Sequence, residues 1–66
     1  MNKKLKWKYD KENNKRYALN RSTDKDSLFE IVKEGGIYWL HYSKRFISVF
    51  DKLSSAQKVA EIMRAG

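Results

Sequence analysis

Apolar and polar residues alternate with period two along Leu5-Lys6-Trp7-Lys8-Tyr9, the pattern of a strand with one buried face. Tyr17-Ala18-Leu19 repeats it after the turn-prone Glu12-Asn13-Asn14, so a first hairpin is predicted over residues 5–21. If Trp7 and Tyr9 share a face with Tyr17 and Leu19, then Trp7 pairs with Leu19, Tyr9 with Tyr17 and Asp10 with Arg16. Residues 12–14 then form a three-residue loop in which Asn accepts the left-handed position. This register turns Lys6, Lys8, Arg16, Ala18 and Asn20 to the opposite face.

The polar stretch 22–27 reads as a loop. A second hairpin follows over residues 28–42, turning at Gly35-Gly36, a strong two-residue turn signal. It pairs Val32 with Trp39, Ile31 with Leu40, Glu30 with His41 and Phe29 with Tyr42. Phe29, Ile31, Tyr38, Leu40 and Tyr42 share a face with no charge at its centre and are expected in the core. The face with Glu30, Trp39 and His41 is expected to be wet. Ser43-Lys44-Arg45 is a basic turn, and residues 46–50 form a short strand.

Ala56, Val59, Ala60 and Met63 recur at helical spacing, predicting a helix over residues 54–65. Ser54 and Gln57 have the spacing of a capping box. A helix this short needs a surface to lie on. The expected fold is therefore α+β: a single small domain over 1–66, with residues 1–4 frayed, an antiparallel sheet of four or five strands built from two hairpins, and one C-terminal helix on one face. This order is similar to that of several small nucleic-acid-binding folds, among them the transcriptional-coactivator type with a curved sheet. The likeness is one of architecture and carries no motif.

Composition narrows the chemistry. The chain has 66 residues, no cysteine and one histidine. Disulfides and a thiolate zinc site are excluded, and no metal or cofactor is expected. No apolar run reaches the roughly 20 residues of a membrane span, and lysines interrupt any signal-like segment. No membrane partner is expected, and the location is expected to be cytoplasmic. The net charge is +7 and is unevenly spread. Residues 1–21 hold eight Lys/Arg against two Asp/Glu, +6; residues 22–66 hold seven against six, +1. Such asymmetry suggests a polyanion-facing segment, although lysines also protect an edge strand from aggregation.

One helix covers one face of the sheet. The other face is expected to show cations and rings together, which is what single-stranded nucleic acid uses: lysines track phosphates and rings stack on bases. The candidate binding residues are Lys4, Lys6, Lys8, Arg16, Trp39, His41, Lys44 and Arg45. The plainer alternatives are that Trp7 and Trp39 are core residues, that His41 pairs with Glu30, and that Lys44-Arg45 is a solvated turn. No nucleophile with an oriented base is evident, so no catalysis is expected. The expected function is a small basic binding module for nucleic acid, as monomer or homodimer. The alternative is a protein-interaction module for an acidic protein surface, such as a phage- or mobile-element-type inhibitor of a host protein.

Overall fold

A computed structural model describes residues 5–21 and 23–65. The chain forms a five-stranded antiparallel meander, β1 (Lys8–Asp10), β2 (Lys15–Arg21), β3 (Asp24–Glu34), β4 (Ile37–Tyr42) and β5 (Arg45–Phe50), followed by helix α1 (Leu53–Ala65). The strands lie side by side in chain order. The expected α+β architecture is the observed one. The predicted fraying of residues 1–4 falls outside the described residues.

The central hairpin has the register expected for it. Gly35 and Gly36 adopt φ of 65° and 79°, the left-handed pair that a type I′ turn requires. Phe29, Ile31 and Leu40 are fully buried, with Tyr38 and Tyr42 packed against them. The Phe29 and Tyr42 rings stack at 4.5 Å between centroids. α1 lies on this face and presents Ala56 and Ala60, both completely buried. Their small side chains let the helix backbone approach the sheet, while Leu53, Val59 and Met63 fill the flanks.

The first hairpin corrects the expectation. Lys8 pairs with Tyr17, Tyr9 with Arg16 and Asp10 with Lys15, one residue out from the predicted register. The loop has four residues, 11–14, rather than three. Its shape is set by Asp10, whose carboxylate accepts the Glu12 and Asn13 backbone N–H groups and the Asn13 side-chain amide, and by Asn14 at φ 49°. With a side-chain period of two, that single step exchanges the faces of β2. Arg16 and Ala18 turn to the helix side, where Ala18 is buried in the core; Tyr17 and Leu19 turn away from it. The pairing of β1 begins only at Lys8. Before it, Leu5 and Trp7 close over the core edge.

Three smaller corrections have local causes. β3 begins at Asp24, inside the stretch expected as loop. Ser27 makes this possible: its buried hydroxyl accepts the Arg21 N–H at 2.9 Å and lies 2.6 Å from the Asp24 carbonyl, filling the register shift beyond Leu19. The last strand starts at Arg45, and its pairing with β4 shifts between Leu40 and His41 so that Ile47 joins the core. α1 starts at Leu53, with the Ala56 N–H bonded to the Lys52 carbonyl. Ser54 therefore sits inside the first turn, and no capping box forms there.

Candidate functional site

α1 packs on β3, β4 and β5, on the side of the buried core, which leaves the opposite face of the sheet uncovered among the described residues. Cross-strand pairing places Lys8, Tyr17, Glu30, His41 and Phe46 in one row across all five strands of that face. At the usual 4.7–4.9 Å between strands the row is about 19 Å long. The adjacent row is Asp10, Lys15, Val32, Trp39 and Val49.

The β4–β5 half of this face is aromatic. The Phe46 ring lies 5.9 Å from Trp39 and 5.8 Å from His41, the latter edge-on at 67°. Phe46 is 55% exposed and Val49 41%. Trp39 is half-buried and donates its indole N–H to the Glu34 carbonyl at 3.2 Å. The ring is thus held in place with its polar atom satisfied, as a stacking platform requires. Trp7 is different: it packs against the core, and its indole N–H is buried with no partner among the described residues.

The β1–β3 half carries the charges, and they cancel. Lys15 donates to Glu30 at 2.8 Å, with side-chain exposures of 28% and 12%. The hydrogen bond to Glu30 raises the Lys15 pKa, aided by the attraction of the Glu30 and Asp10 charges and opposed by partial burial. The Asp10 carboxyl is held below its ordinary value, chiefly by the hydrogen bond from Asn13. The expected partnership of His41 with Glu30 is therefore one of register alone. The carboxylate engages Lys15 instead, and the imidazole faces Phe46.

Of the expected site residues, Lys8, Trp39 and His41 do share the uncovered face. Arg16 does not: its guanidinium sits 4.8 Å from the Tyr9 ring centroid on the helix side. Lys6 is exposed just before β1. Lys44 is exposed in the β4–β5 turn, where Ser43 and Lys44 adopt φ of 53° and 68°. Arg45 pairs with Tyr42 and so starts β5 facing the helix side, opposite to Phe46. Lys4 lies outside the described residues. Neither Phe46 nor Tyr17 was among the expected site residues, although both belong to the face. The alternation in 46–50 holds an apolar residue on either side, and Tyr17 was displaced by the register step.

Among the described residues, no three His, Cys, Asp or Glu side chains gather as a metal site, and no helix is long and apolar enough to cross a membrane. No protein-family model matches the chain, and neither a curated protein nor a solved structure matches it.

Proposed function

We propose that this protein is a small basic binding module, without catalytic activity, that holds single-stranded nucleic acid on its uncovered sheet face in the cytoplasm. The observation that carries the reading is the cluster of Trp39, His41 and Phe46 on a face left open by the single helix. Flat rings on an exposed sheet accept bases of any sequence, and each stacked base contributes about 1–3 kcal/mol. The net charge of +7 supplies long-range attraction for a polyanion, with Lys8 at one end of the row and Lys44 at the turn beside the other. The strained Ser43-Lys44 turn supports this. A lysine occupies a left-handed position where glycine or asparagine is the easier residue, and such strain concentrates at binding sites.

Fluorescence anisotropy with a labelled 12-nucleotide single strand tests the reading. Affinity should fall with salt at a log–log slope near −0.7 per phosphate contacted. Phe46→Ala should weaken binding by about 1–3 kcal/mol without altering the circular dichroism spectrum. Absence of binding at low salt refutes the reading.

A second reading rests on the charge balance of the same face. Lys8 and Lys15 are matched by Asp10 and Glu30, and Leu19, Phe46 and Val49 are exposed. A near-neutral apolar surface with a fixed tryptophan suits a protein partner. Under this reading the protein masks a surface of a host protein. Capture of one partner, insensitive to salt and lost in Trp39→Ala, would favour it over nucleic acid.

A further inference from the structure

A cavity of about 410 Å³ lies at the β1–β2 edge of the sheet, between the segment preceding β1 and the end of α1. It opens because β1 pairs with β2 only from Lys8 to Asp10, while Leu5 and Trp7 close over the core. Its polar wall carries Lys6, Lys8, Asn20 and Arg64, and Leu5 and Ala18 form an apolar floor. Among the described residues, no carboxylate lines it. The Arg64 Nη1 is buried and has no hydrogen-bond partner among the described residues. A guanidinium N–H withdrawn from water without an acceptor carries an uncompensated desolvation cost, and a rotation of the side chain that turned it to an anion in the cavity would relieve it.

We infer that this cavity is a phosphate-monoester site, with Arg64, Lys6 and Lys8 holding the dianion and Asn20 donating to its ester or sugar oxygens. Three cations in a lining with no carboxylate among the described residues match a doubly charged group better than a single carboxylate. The guanidinium fork suits phosphate oxygens. The apolar floor suits a ligand with a nonpolar or ring-bearing body, as in a nucleoside monophosphate. Such a group comes either free or as the 5′-phosphate end of a strand. Lys8 also begins the row that crosses the uncovered face to Phe46, so an end-phosphate in the cavity is continuous with a strand lying on that face. The cavity does not depend on the face reading, and the two fail separately.

The test titrates the full chain, ¹⁵N-labelled, with adenosine monophosphate, inorganic phosphate and adenosine, following the amides of Leu5, Ala18 and Asn20 and the Arg64 side-chain N–H. A 12-nucleotide strand labelled at its 3′ end, with 5′-phosphate or 5′-hydroxyl, is measured in parallel by anisotropy. Adenosine monophosphate should shift these signals and bind at least ten-fold tighter than adenosine. Arg64→Gln should abolish the difference. Should that variant lose its fold, Lys6→Gln, at an exposed position, should still weaken monophosphate binding several-fold. A ten-fold preference for the 5′-phosphorylated strand identifies a strand end as the source. Monophosphate binding without that preference identifies a free nucleotide. If neither phosphate ligand shifts these signals, the inference is overturned, even where the 5′-hydroxyl strand still binds through Phe46. If the monophosphate binds and no strand does, the cavity stands and the nucleic-acid reading of the uncovered face falls.

Discussion

Two tight turns of this protein have the same backbone and opposite chemistry, which makes a paired experiment possible. Gly35-Gly36 and Ser43-Lys44 both link neighbouring strands with positive φ at both central positions. A residue with a Cβ loses about 1–2 kcal/mol in the left-handed region. Glycine there avoids this loss but adds about 0.5–1 kcal/mol of unfolded-state entropy. Lys44→Gly should therefore stabilise the protein by about 0.5–1 kcal/mol. Gly36→Ala should destabilise it by a similar amount, because a Cβ added at Gly36 meets no atom within 4 Å and only the backbone term remains. At about 4–8 °C per kcal/mol for a domain of this size, each change moves Tm by about 2–8 °C, in opposite directions. Lys44→Ala is the control: it removes the side chain but keeps the Cβ, and should stay within about 0.5 kcal/mol of the parent. Urea unfolding followed by tryptophan fluorescence, with thermal melts by circular dichroism, reads all three. If Lys44→Gly and Lys44→Ala behave alike, or Gly36→Ala is neutral, the argument from left-handed strain is wrong. Lys44→Gly should also flatten the salt dependence of strand binding by about 0.7 in slope if Lys44 contacts a phosphate.

Other outcomes follow from the packing and the titrating groups. Leu40→Ala opens a cavity at a fully buried site and should cost about 2–5 kcal/mol in urea unfolding. Ala60→Leu should cost about 1–3 kcal/mol by forcing α1 away from the sheet; unchanged stability would mean that the helix contact is loose. Trp39→Phe removes the hydrogen bond to Glu34 and should cost about 1 kcal/mol, whereas Trp7→Phe discards a buried N–H that has no partner among the described residues and should be neutral or stabilising. Asp10 has a depressed folded-state pKa, so its contribution is present above the unfolded value and is lost as pH falls through the folded one. The Asn13 amide signal should then change at a pH below the ordinary aspartate range, and Asp10→Asn should remove that transition.

Residue pattern alone specifies the central hairpin, its register, its buried face and the existence of the helix. Those features rest on local rules that agree with one another. Gly-Gly admits few turns, and Phe29, Ile31 and Leu40 fall on one face by alternation, leaving Trp39 and His41 on the other. The first hairpin was not legible in the same way. Leu5, Trp7 and Tyr9 alternate clearly, but the loop length depends on how Asp10 and Asn13 hydrogen-bond within it, and one added residue exchanges the faces of β2. Arg16 thereby left the candidate surface and Tyr17 entered it. Ser27 reads as loop until its hydroxyl is seen to fill a register shift, and the charge cancellation between Lys15 and Glu30 joins residues fifteen apart in the chain. The cavity at Arg64 brings the last turn of α1 against the segment before β1. Period and turn chemistry act over a few residues, whereas face, charge pairing and cavity depend on contacts across strands, and only the folded chain supplies those.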